Sequence, residues 1–139
     1  MPDRDVVLAK VATIQKCLER TREVTSLDPA SLDDINRQDI FVLNLQRAIQ
    51  ASIDLASHIV ASEGLGLPET VRDNFVLLRD KNVIDPETAL KMEKMTGFRN
   101  IAIHDYQALN LDILKSILTS NLKDLEDFYA AVLTRFRYA

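Results

Sequence analysis

Only three glycines and four prolines punctuate a chain of 139 residues. Turn-formers this sparse leave no room for the frequent reversals of a many-stranded fold, so the chain reads as a handful of long helices. The apolar residues agree. Val7, Val11, Ile14 and Leu18 recur at spacings of four, three and four, drawing one apolar face along a first helix from about Asp5 to Val24. The turn-rich stretch from Ser26 to Ser31 makes the first connection.

A second helix starts near Asn36 and runs to Glu63, with a stripe of Phe41, Leu45, Ala48, Ile49, Ser52, Leu55, Ala56, Ile59 and Val60. Gly64-Leu65-Gly66-Leu67-Pro68 ends it. A short third helix spans about Glu69 to Lys81. Asp85-Pro86 then supplies an N-cap and a proline at the first helical position, opening a fourth helix. The last helix, from about Leu111 to Phe136, repeats Leu114, Ile117, Leu118, Leu122, Leu125, Tyr129, Val132 and Leu133. The fold class is therefore all-α, an up-and-down bundle of four main helices plus a short fifth, in one domain over residues 1–139.

The formal charge of −4 narrows the function classes. Proteins that hold nucleic acid by bulk electrostatics are usually basic, so any such contact here must rest on a local patch. Lys91, Lys94, Arg99, Arg135 and Arg137 are the candidates, although such charges more often form a solvated helix face. Asp124, Glu126 and Asp127 read as part of that solvated surface. A single cysteine, Cys17, fits a reducing compartment. The charged N-terminus lacks a signal-peptide core, and no apolar run approaches the roughly 20 residues that span a bilayer. The expectation is a cytoplasmic protein with no membrane contact.

Chemistry concentrates on the fourth helix, where Arg99, Asn100, His104 and Tyr106 fall within eight residues. Arginine offers a permanent charge and a planar fork of donors suited to phosphate, and histidine moves protons near neutral pH. At about 100° per residue, Glu93, Gly97, Asn100 and His104 share one strip. Leu90, Met95, Phe98, Ile101 and Ala102 are placed on the other side, which leaves the His104 strip free of bulky apolar groups. Gly97 inside a helix costs roughly 1 kcal/mol against alanine, which suggests the close approach of a partner there. Arg99 falls about 140° from His104, inside the apolar arc. Three solutions are open: a break in the helix near Gly97–His104, an arginine arm that curls round, or completion of the site by a second subunit. The third is favoured.

The run Gly97-Phe98-Arg99-Asn100-Ile101-Ala102-Ile103-His104-Asp105-Tyr106 closely resembles the signature of HEPN-domain proteins of the HepT type: arginine, four residues, histidine, any residue, tyrosine. Chain length, the long second helix and the Asp85-Pro86 opening also match that layout. The resemblance implies a HEPN-like bundle that forms a homodimer, with the two motif helices meeting at the two-fold axis. It implies a ribonuclease toxin that needs neither metal nor cofactor. Arg99 and His104 would be catalytic, with Asn100 in support of His104 or of the substrate. The RNA would be cut by 2′-hydroxyl transesterification, leaving a 2′,3′-cyclic phosphate. The implied partner is an MNT-type nucleotidyltransferase antitoxin that silences the toxin by adenylylating Tyr106.

A competing reading keeps the same fold without catalysis: a helical nucleotide- or substrate-binding subunit that partners a nucleotidyltransferase. The acidic charge suits it slightly better, and the intact Arg99, His104 and Tyr106 set suits the enzyme much better. His58 reads as a surface histidine. With two histidines and one cysteine, no zinc-type spacing exists. Tyr129, Phe136 and Tyr138 are placed in a core or a dimer seam.

Overall fold

Three aspartates start three of the helices. Asp3, Asp34 and Asp85 hold extended backbone and accept hydrogen bonds from the first free amides of their helices. In the computed structural model, which describes residues 1–105 and 109–138, these are α1 (Arg4–Thr25), α2 (Ile35–Ser62) and α4 (Pro86–His104). Between α1 and α2 lies a short 3-10 turn (Pro29–Asp33), entered through Ser26 and Leu27 in left-handed backbone. The short α3 (Asp73–Asp80) precedes α4. The chain closes with α5 (Leu111–Ser116), a π turn (Ile117–Asn121) and α6 (Leu122–Phe136).

Cross-links between helices set the topology. Asp3 N–H donates to His58 at 3.1 Å, and Lys10 pairs with Asp54 at 3.4 Å. The start of α1 therefore lies beside the end of α2, and the two run antiparallel. Arg22 pairs with Glu126, while the Tyr138 hydroxyl donates to the Pro2 carbonyl, so α6 also runs antiparallel to α1. Lys115 fastens α5 to Asp33 of the 3-10 turn at 2.9 Å. The result is the expected bundle, four long helical rods and one short helix.

One apolar core joins all the rods. Ile14 and Leu18 of α1, Phe41, Leu45 and Ile59 of α2, Phe75 of α3, Met92 of α4 and Phe128 of α6 are fully buried in it. Phe75 and Phe128 meet edge to face with ring centres 5.4 Å apart, a geometry favoured by the ring quadrupoles.

Two expectations for the last rod need correction. It is not one regular helix, because the π turn over Ile117–Asn121 inserts extra backbone and advances the phase of α6. Within α6 the buried face also differs from the predicted stripe: Phe128, three residues after Leu125 and four before Val132, is fully buried, whereas Tyr129 and Leu133 are only partly buried. Asp124 is likewise not a solvated charge. It is buried, accepts from Asn121 at 3.1 Å and lies 3.7 Å from Lys91.

Candidate functional site

The site is built on α4, and its opening is fixed locally. Asp85 accepts from the Thr88 amide at 2.7 Å, Pro86 presets the first turn, and Glu87 sits near the positive helix end. The Thr88 side chain and then its amide hold the Asp85 carboxyl below its ordinary range. Ala89, Met92, Met95, Thr96 and Ala102 bury one side of α4. The helix continues through Gly97 to His104, with Asp105 as C-cap donating to the Ile101 carbonyl at 2.8 Å. No break therefore solves the divergence of Arg99 and His104 within α4.

The arginine arm does curl. Arg99 Nη1 donates to Asn100 Oδ1 at 2.9 Å, and Arg99 Nη2 donates to Gln50 Oε1 on α2. Gln50 is held in turn, because its amide nitrogen donates to Asp54 Oδ1 at 2.8 Å, which aims its oxygen at Arg99. Asp54 is also paired with Lys10. A polar relay thus runs from α1 through α2 to the guanidinium. Arg99 Nε is buried with no acceptor among the described residues. An unpaired buried donor costs roughly 1–3 kcal/mol, so a ligand oxygen that reached it would find a donor already desolvated.

Asn100 lies one turn before His104 on the same edge of the helix, so the curled arm brings the guanidinium toward the His104 strip. The oxygen of Asn100 is committed to Arg99 and not to His104. His104 itself is exposed in the last turn of α4, with no hydrogen bond to Arg99 or Asn100 among the described residues. Tyr106 lies outside the described residues.

The His104 edge is less polar than expected. Leu90 is 54% exposed and Ile101 48% exposed, and both sit within about 60° of His104 around the helix. They are not on the buried side with Met95 and Ala102. Two more features were invisible in the sequence. Gln50 lies off the apolar stripe of α2, with nothing in the sequence to mark it. Arg72, before α3, lays its guanidinium over Gly97, where an added Cβ would stand 2.5 Å from Nη2. The close approach predicted at Gly97 therefore comes from within the chain.

The remaining candidates have structural partners. His58 is half-buried and accepts from the Asp3 amide. Lys91 is paired with Glu87 at 3.1 Å and with Asp124, so it adds little to a basic patch. Among the described residues, no group of three or more His, Cys, Asp or Glu is gathered to hold a metal ion.

Known proteins resemble this chain in sequence and fold. A family model described as ribonuclease HepT-like matches residues 14–132. Over 124 residues the chain is 42% identical to the mRNA nuclease HepT of Shewanella oneidensis, covering 89% of this chain and 93% of that protein. A crystal structure of a toxin–antitoxin with AMP-PNP superposes with a TM-score of 0.89 at 40% identity, covering 94% of this chain and 98% of that one. A tri-AMPylated Shewanella oneidensis HEPN toxin in complex with MNT antitoxin gives a TM-score of 0.88 at 40% identity and the same coverage. These neighbours define the fold as that of the HEPN toxins. The chain belongs to the HepT-like ribonuclease family and is an endoribonuclease of the toxin–antitoxin kind.

Proposed function

We propose that two copies of this chain form one RNA-cleaving cleft across facing α4 helices. The observation that carries the proposal is the edge of α4 on which exposed Leu90 and Ile101 flank Gly97 and His104. Large apolar side chains grouped on a solvent face call for a cover. A two-fold contact covers each copy's edge with the other's and brings two His104 side chains into one cleft.

The chemistry needs both. Cutting RNA by its own 2′-hydroxyl forms a bond from O2′ to phosphorus and breaks the bond to O5′. One His104 takes the proton of the 2′-hydroxyl, and the other delivers a proton to the departing 5′-oxygen. The product end is a 2′,3′-cyclic phosphate. Arg99 offers its remaining Nη hydrogens to the non-bridging oxygens, which gain charge as the phosphorane forms. Asn100 acts through Arg99, holding the guanidinium toward the cleft. The kit of charge and proton transfer is complete without a metal ion.

Silencing falls to an MNT-type nucleotidyltransferase that adenylylates Tyr106. The AMPylated, antitoxin-bound Shewanella toxin supports this reading. An adenylate two residues from His104 adds bulk and a negative phosphate, which repels an RNA backbone.

The test is cleavage of an end-labelled oligoribonucleotide in EDTA. Arg99→Ala and His104→Ala should each slow it at least about a hundredfold, within the range of a lost acid–base or phosphate-binding group. Wild-type rates in either variant would refute the assignment.

A further inference from the structure

Two cations lie beside the catalytic edge without a carboxylate. Arg72 and Lys94 form no ion pair among the described residues, whereas Lys91 is neutralised twice. They share a cavity of about 350 Å³, lined in addition by Gly97, Phe98, Ile101 and Ile113. In a chain of net charge −4, two unpaired cations at one apolar cavity form a local positive site. Gly97 makes it possible, because any side chain there would occupy the place of the Arg72 guanidinium.

The position is as informative as the charge. Gly97 precedes His104 by seven residues, so it sits about 10 Å away along α4 and within about 20° around it. Lys94 and Ile101 lie about 60–80° round α4 from His104, so the cavity opens beside the catalytic edge and is displaced along the helix, too far to grip the phosphate that His104 serves.

We infer that this cavity is a second nucleotide subsite of the RNA cleft. A backbone phosphate of a nucleotide flanking the cut lies on Arg72 and Lys94, and its base rests on the apolar floor of Phe98 and Ile113. The inference rests on the ribonuclease reading of the α4 edge. An arginine fork matches phosphate oxygens, and an apolar floor with an aromatic ring accepts any base by stacking. The subsite supplies grip and register in place of base readout, and it provides the local patch that an acidic chain needs in order to hold RNA.

Binding separates this subsite from the chemistry. The probe is a fully 2′-O-methylated oligoribonucleotide, which carries no nucleophile, titrated by fluorescence anisotropy over a range of salt. Arg72→Ala should weaken Kd about tenfold and lower the salt slope by about 0.7, the value for one phosphate contact on a single strand. Arg72→Lys should keep the salt slope and recover only part of the affinity. Lys94→Ala should act in the same direction as Arg72→Ala. Arg72 is exposed, so thermal unfolding should be unchanged and loss of fold is measured separately. Wild-type Kd and slope in Arg72→Ala would overturn the subsite, and so would a loss confined to antitoxin affinity, which would mark a protein contact. Cleavage of the unmethylated oligonucleotide by the unaltered protein decides the underlying reading independently. If it cleaves and Arg72→Ala binds undiminished, only the subsite falls.

Discussion

Arg99 of α4 and Gln50 of α2 meet across the bundle, the guanidinium donating to the glutamine oxygen. Forty-nine residues separate them in sequence. The contact anchors to α2 an arginine whose other Nη is held toward the His104 strip by Asn100. Gln50 is fixed by Asp54, and Asp54 by Lys10, so the orientation of the Arg99 guanidinium is set from the far side of the bundle.

Gln50→Leu tests that relay. The leucine fills similar space but leaves Arg99 Nη2 without its acceptor. With the guanidinium free to swing, kcat for oligoribonucleotide cleavage should fall about ten- to a hundredfold, as expected for misplacement of a catalytic group by about an ångström. KM should move less. A full wild-type kcat would show that Gln50 does not position Arg99.

Gly97→Ala separates stability from function. Alanine favours helix by up to about 1 kcal/mol over glycine, yet its Cβ displaces the Arg72 guanidinium, the flexible end of an exposed side chain. The melting temperature should hold or rise while affinity for RNA falls. A variant that is stable and binds RNA as before would mean that the Arg72 seat on Gly97 is unimportant.

Much of this architecture was readable in the sequence, and its limits have physical causes. The scarcity of glycine and proline, the apolar stripes and the Asp85-Pro86 start identified every long rod, because capping and amphipathic spacing are local properties. Phe128 follows Leu125 by three residues and precedes Val132 by four, so the α6 stripe itself carried it, whereas no residue over Ile117–Asn121 announces the π turn. Leu90 and Ile101 were assigned to the buried side on hydrophobicity alone, whereas the fold turns that edge of α4 outward. At the site, Arg99 and His104 were marked by residue type. Gln50 and Arg72 reach α4 from other elements, and local spacing carries no trace of such contacts.

The cap that starts α4 should be sensitive to acid. Asp85 accepts from Thr88, which depresses its folded-state pKa. Its contribution is therefore complete above the ordinary aspartate pKa near 3.9 and is lost as pH falls through the lower folded-state value. Asp85→Ala should cost roughly 1 kcal/mol at neutral pH, typical of an N-cap. In urea titrations the gap between variant and wild type should close below that range. A gap that stayed constant down to strong acid would assign the effect to something other than the cap.

Tyr106 is the proposed switch. Intact-mass spectrometry of the protein co-produced with its nucleotidyltransferase should show added adenylate, which Tyr106→Phe removes. The phenylalanine variant should then remain active after exposure to the antitoxin's transferase activity. Adenylate at full level on Tyr106→Phe would place the modification elsewhere.

The central claim is that one cleft uses His104 from two chains. A purified heterodimer with one wild-type and one His104→Ala copy measures this directly. With base and acid drawn from different copies, its oligoribonucleotide cleavage should fall far below half the wild-type rate, close to that of the doubly substituted dimer. A rate of one half would mean that each chain cuts alone, and would contradict the shared cleft.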